Sequence, residues 1–152
     1  MNEFARGWNK WNKRPWGRQL FSLNLGCRIP YTGSIQAMIL EMRSGYARIQ
    51  MQDRKSIRNH LDCIHAIALT NLGELATGMA LQMGLPESHR CIATHIDIDF
   101  LAKARGALIA ECDFELPLVW DPVTLPMRSI IRNSENVDVA IVTTHWQIDK
   151  RK

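Results

Sequence analysis

Cysteine is sparse in this 152-residue chain, and its four copies, Cys27, Cys63, Cys91 and Cys112, form no CxxC pair. With no signal peptide read at the N-terminus, the thiols are expected to be reduced groups of a cytoplasmic protein, and disulfides are not expected. Internal repeats and nucleic-acid motifs are also lacking. At this length one domain spanning 1–152 can bury a substantial core without disulfides or a structural metal. The net charge of +4 and pI near 9.1 fit a polyanionic partner such as a nucleic acid, an acidic membrane surface or a phosphorylated cofactor. The basic residues gather at the ends, with Arg6, Lys10, Lys13, Arg14 and Arg18 in front and Lys150, Arg151 and Lys152 behind.

The most informative shortage is of charge in the middle of the chain. From Cys63 to Gly84 the only Asp, Glu, Lys or Arg is Glu74. That run has the length of a membrane span, but Thr70, Asn71, Thr77 and Gln82 make it too polar. The segments on both sides read as strands of a soluble sheet, so stable membrane insertion is not expected. It reads instead as a central helix over 63–84. A helix that is apolar all round must be enclosed.

What surrounds it is legible from spacing. Phe4, Trp8 and Trp11 fall at i, i+4 and i+7 before Pro15, which predicts a helical extension over 1–16. Either that helix packs on the body of the domain, or its Trp and Lys residues touch a membrane surface. Asn24 to Ser34, with Gly26, Pro30 and Gly33, reads as loop. Residues 37–43 pair with Ala47–Asp53 through the Ser44-Gly45 turn, since Ala47, Ile49 and Met51 alternate with Arg48, Gln50 and Gln52. Beyond the helix, Ile92, Thr94, Ile96, Ile98 and Phe100 form one face of a strand and His95, Asp97 and Asp99 the other. Leu108, Ala110, Cys112, Phe114 and Leu116 form a further set, and Val137–Ile148 a last strand. The result is an α+β fold in which a curved antiparallel sheet wraps one long helix, leaving its outer face and an edge strand for a partner.

An enclosed carboxylate requires compensation. Thr70, Asn71, Thr77 and Gly78 lie within one turn of Glu74. Either Glu74 is satisfied by Asn71, by backbone donors or by a base across an interface, or it is a perturbed carboxylate that marks a site.

The pattern Asn59, His65-Ala66 and Glu74 resembles the Asn, His-Gly and Asp or Glu pattern of hotdog-fold acyl-CoA thioesterases of the phenylacetate-pathway type, with matching intervals of six and nine residues. Pro30-Tyr31-Thr32-Gly33, Asn71-Leu72-Gly73-Glu74 and the stretch from Phe100 to Gly106 extend the resemblance more loosely. It implies a hotdog fold, a homodimer or homotetramer, and hydrolysis of an acyl-CoA to free acid and CoA. It implies no cofactor and no metal. Carried over, the Asn59 side chain and the Ala66 N–H that follows His65 hold the thioester carbonyl, while Glu74 activates water or attacks directly. Glu74 of one subunit faces Asn59 and Ala66 of its neighbour. A free N–H at a helix start, at the positive end of its dipole, suits a developing oxyanion.

Ala66 departs from the pattern, which has Gly there. Thr94 is the candidate for holding water, and otherwise it is a strand threonine packed by its methyl. Thr70 and Asn71 are candidate substrate contacts. Lys103, Arg105, Arg128 and Arg132 are candidates for the CoA phosphates, or solvated cations. Three other readings stand beside this one. His60 precedes Glu74 by fourteen residues, the interval of hotdog dehydratases, although their Gly- and Pro-rich context is missing. His60, Cys63, His65, Cys91 and His95 are zinc-type ligands with poor spacing. A third reading keeps the fold and binds acyl-CoA or lipid without turnover.

Overall fold

The computed structural model describes residues 1–120 and 122–151. Lys152 of the C-terminal basic group lies outside the described residues. Strands β1 (Met38–Arg43) and β2 (Tyr46–Met51) form a hairpin whose turn holds Gly45 at φ 76°, the left-handed region that favours glycine. After a 3-10 turn at Lys55–Ile57 comes the long helix α4 (Ala66–Gly84), preceded in the chain by α1 (Glu3–Trp11), α2 (Gly17–Arg28) and α3 (Pro30–Gly33). Then follow β3 (His89–Phe100), β4 (Leu108–Asp113), β5 (Val123–Asn133) and β6 (Asp138–Lys150). All pairings are antiparallel, in the order β1-β2-β4-β5-β6-β3.

The sheet wraps α4, which touches every strand. The period-two sets explain how. Ala47, Ile49 and Met51 of β2 and Leu108, Ala110 and Cys112 of β4 turn inward and are fully buried, with Leu72, Ala76, Ala80 and Leu81 of α4 packed among them. Helix and sheet approach closely at Gly73. A methyl there would overlap the Val142 side chain, and Ser129 Oγ donates to the Gly73 carbonyl at 3.0 Å.

Several sequence expectations are corrected. Residues 24–34 are mostly helical, not loop. The glycines read there as breakers are packing contacts, because a methyl on Gly33 would overlap the Gly26 carbonyl, and Pro30 occupies the first turn of α3, where its missing N–H does no harm. Phe4 and Trp8 of the stripe pack on the body of the domain, while Trp11 is left exposed. Trp8 is buried and donates to Met42 O at 3.1 Å, and Phe4 and Trp8 meet Phe21 edge to face. Helix α4 begins at Ala66 rather than Cys63, since Cys63 and Ile64 are held outside it by bonds to Asn59 and Arg58. Strand β4 stops at Asp113, before Phe114 and Leu116.

Strand β5 was not legible from spacing, because Pro126 argues against a central strand. The proline is tolerated because β4 pairs only with Ser129–Asn133, leaving Pro126 bonded to β6 alone. In β3 the register slips between Ala93 and His95. Thr94 is the extra residue of this bulge, so Ile92 shares the outer face with His95, while Ile96, Ile98 and Phe100 pair with inward residues of β6.

Candidate active site

The N-terminal end of α4 is shaped by a tight loop. Arg58 reaches Asp53 at 2.7 Å and Asp62 at 2.8 Å, and this guanidinium is the main reason the Asp53 carboxyl sits below the ordinary range. Asn59 follows. Its Oδ1 accepts the N–H groups of Leu61 at 2.9 Å and Cys63 at 3.2 Å. Two donors on one oxygen fix the amide orientation, and the Nδ2 donor is left with no protein acceptor among the described residues. Exposed His65 is the helix cap, with Nδ1 accepting the Ile67 N–H at 3.1 Å. The N–H groups of Ala68 and Leu69 bond to His65 O. Of the four N–H groups that open the helix, only that of Ala66 meets no acceptor among the described residues. The loop thus presents two free donors, Asn59 Nδ2 and Ala66 N–H.

Two cations border this end. Ile64 N–H bonds to Ala104 O at 2.9 Å, which ties the segment carrying exposed Lys103 and Arg105 to the donor loop. Arg105 Nε donates to Asp62 O at 3.3 Å. Arg132 is engaged elsewhere, with Asp138 at 2.7 Å and Glu111 at 3.7 Å, so the expectation that it is available for phosphate is corrected. Arg128 is exposed on β5.

Glu74 has the opposite problem. Its side chain is partly buried, and burial alone pushes its pKa up. Among the described residues no hydrogen bond or ion pair reaches the carboxylate. The neighbours expected to satisfy it are engaged elsewhere: Asn71 donates to Tyr31 O at 3.1 Å, Thr70 to Ala66 O at 3.0 Å and Thr77 to the Glu74 backbone carbonyl at 2.9 Å. Compensation by Asn71 is therefore overturned.

The carboxylate lies over Gly78, where a methyl would sit 3.9 Å from Glu74 Oε1 and 3.1 Å from the Trp146 ring. Trp146 donates to Thr77 Oγ1 at 3.1 Å. Strand β6 thus faces α4 with Val142 at Gly73 and Trp146 at Gly78, and Thr144 between them. The Thr144 hydroxyl is fully buried and has no partner among the described residues. Sequence reasoning missed it, although its alternation with Val142 and Trp146 was a usable signal. Thr94 is instead exposed at the bulge and donates to His145 O at 3.2 Å; its placement on the apolar face was wrong.

Ala66 and Glu74 are eight residues apart on one helix, about 12 Å along the axis and roughly 80° around it. One chain therefore does not bring its donors to its own carboxylate. Exposed His60 sits in the donor loop and makes no hydrogen bond or ion pair with Glu74 among the described residues. Among the described residues no three His, Cys, Asp or Glu side chains are grouped to hold a metal.

The family model described as a domain of unknown function, DUF4442, matches residues 17–148. The chain belongs to this family. No curated protein matches it. Among solved structures, "genomics APC5556" superposes on this DUF4442 chain with a TM-score of 0.86 at 25% identity, covering 99% of this chain and 100% of the other. A Pseudomonas aeruginosa protein of unknown function, described as a probable thioesterase, gives 0.75 at 17% identity over 88% and 95%. A thioesterase from Haemophilus influenzae gives 0.72 at 16% identity over 84% and 88%. The architecture that the DUF4442 chain shares with them is the hotdog fold. These comparisons do not single out the phenylacetate-pathway branch; the likeness to it rests on the spacing of Asn59, His65, Ala66 and Glu74 and, more loosely, on residues 30–33, 71–74 and 100–106.

Proposed function

We propose that the protein hydrolyses an acyl-CoA thioester in a site assembled from two copies of the chain. The observation that carries the reading is complementarity within α4: two donors without acceptors at its start and an acceptor without donors about 12 Å further along. A two-fold axis that sets two such helices against each other brings each half to the other. Strand β3 supports this assembly, since it is an unpaired edge whose inward side chains Ile96 and Phe100 are exposed in the single chain, a surface that normally meets a partner. Two of the structurally similar proteins are described as thioesterases or probable thioesterases.

In this reading Asn59 Nδ2 and the Ala66 N–H of one subunit hold the carbonyl oxygen. Glu74 of the other takes a proton from water, and the resulting hydroxide adds to the carbonyl carbon. The two donors take up the oxyanion charge as it develops. Collapse breaks the C–S bond, releasing the acid, and the leaving thiolate takes the proton from Glu74. A carboxyl whose pKa is raised by burial is better matched to this shuttle at neutral pH than an ordinary one. Thr144, with its unpaired hydroxyl on the strand facing Gly73 and Gly78, is the group we assign to orient the water in place of Thr94. Lys103 and Arg105 flank the donor half where the CoA phosphates would lie.

The test is complementation. Asn59→Ala and Glu74→Gln chains, each inactive alone in a thiol-release assay, are co-refolded. Random pairing makes about half the dimers mixed, each with one intact site, so about a quarter of wild-type activity returns. No recovery after verified subunit exchange would refute the shared site. Binding of acyl-CoA by wild-type protein without thiol release would favour the non-catalytic reading.

A further inference from the structure

The first two helices carry a surface that hydrolysis does not explain. From Phe4 to Leu40 the chain has six basic residues, Arg6, Lys10, Lys13, Arg14, Arg18 and Arg28, and no Asp or Glu. All six are exposed. Only Arg6 has an ion pair among the described residues, to Glu87 at 3.6 Å; Arg14 lies 5.9 Å over the Trp11 ring.

The same segment also exposes large apolar side chains. Helix α2 turns Phe21, Ser22 and Leu25 toward the body, with Ser22 Oγ accepting the Ile39 N–H at 2.9 Å. Its other side carries Leu20 and Leu23, in line with Trp16 just before the helix at spacings of four and three. Trp16 is 74% exposed and Leu23 66%, and Ile29 and Tyr31 at the start of α3 are exposed as well. Leu23 and exposed Cys27 also line a cavity of about 550 Å³ between α2, α3 and β1, whose walls include Met38, Ile39 and Leu75. The patch is therefore continuous with an apolar interior.

We infer that this face docks reversibly on an anionic phospholipid bilayer. Exposed tryptophan and leucine in a segment whose charged side chains are all cationic match the headgroup boundary, where the ring and alkyl groups enter the acyl edge and the cations meet phosphate. Charge complementarity selects this occupant: a second copy of the chain would set these cations against identical ones across a two-fold contact. The inference stands apart from the proposed hydrolysis, since neither Glu74 nor Asn59 belongs to the patch.

The experiment is co-sedimentation of the full-length protein with vesicles of phosphatidylcholine alone or of phosphatidylcholine with phosphatidylglycerol. Wild-type protein is expected to pellet with the anionic vesicles only and to be released by about 0.5 M salt, which shortens electrostatic reach to a few ångströms. The exposed double variants Trp16→Ser/Leu23→Ser and Lys13→Glu/Arg14→Glu should each reduce partitioning at least about tenfold. Circular dichroism and thiol release in detergent-free buffer should remain as in wild type. Failure of folded wild-type protein to pellet would overturn the inference, as would variants that pellet like wild type. A drop in oligomer mass by light scattering in the Trp16→Ser/Leu23→Ser variant would also overturn it, by showing the patch to be a subunit contact.

Discussion

Two stretches of α4 differ in how their polar groups are settled. At its start, His65 and the Asn59 turn satisfy nearly every donor in reach and leave two N–H groups without an acceptor among the described residues. Around Glu74, neighbouring polar side chains are bonded to backbone or to Trp146, and a carboxylate is left with burial and no donor. A structural helix tends to satisfy both. In the proposed reading, the unspent donors at one end and the unspent acceptor in the middle are complementary halves of a site shared by two chains.

The sharpest way to break this comparison is Glu74→Gln, which keeps shape and removes the acceptor. Turnover is expected to fall about a hundredfold or more, with the circular dichroism spectrum and oligomer mass unchanged. Near-wild-type thiol release from a folded variant would return Glu74 to a structural role. At the other half, Asn59→Ala should lower kcat by about a hundredfold and change KM less, because its bond strengthens as charge develops. Equal losses in substrate binding and turnover would make Asn59 a positioning residue only.

Gly73→Ala tests what holds the acceptor half in place. The added methyl meets Val142 and Ser129, so unfolding in urea should show a loss of about 1–3 kcal/mol, the usual cost of overpacking. Thr144→Val removes an unpaired buried hydroxyl and keeps its shape, so stability should hold or rise. If the hydroxyl orients water, kcat falls several-fold; an unchanged kcat would withdraw that assignment.

The smallest effect is a pH-dependent one. Burial raises the pKa of Glu74, so the folded chain holds this proton more tightly than the unfolded one. Below the ordinary value of 4.5 both states are protonated, and the Glu74→Gln variant should match wild type. As pH rises through the elevated folded value, wild type loses stability that the variant keeps. Urea midpoints at acid and neutral pH should therefore diverge in favour of the Glu74→Gln variant only at the higher pH; a constant difference would place the carboxylate in a solvated environment.

Much of the sheet was readable because burial on one side enforces a period of two. β2 and β4 sit mid-sheet against α4, and their inward residues are those that the alternation selects. Reading failed where neighbours set the rules. Pro126 is compatible with β5 because β4 does not reach it. The bulge at Thr94 reverses which face Ile92 occupies. Gly26 and Gly33 look like chain breaks, yet they are the contact that lets α2 and α3 meet. The site followed the same division. Asn59, Ala66 and Glu74 stand out by spacing; alternation with Val142 and Trp146 sets Thr144 inward, but its lack of a partner shows only when β6 is laid across α4.

The sequence by itself determined that one nearly uncharged helix must be enclosed by a sheet, and that a single carboxylate would go into that enclosure, because apolar periodicity and the cost of burying charge are local properties of the chain. Only the tertiary structure decided that Asn71 and Thr77 give that carboxylate nothing, and that its helix keeps two donors free about 12 Å away. Hydrogen-bond partners are chosen by which backbone and side-chain groups the fold brings within about 3 Å, and no spacing along the chain specifies that.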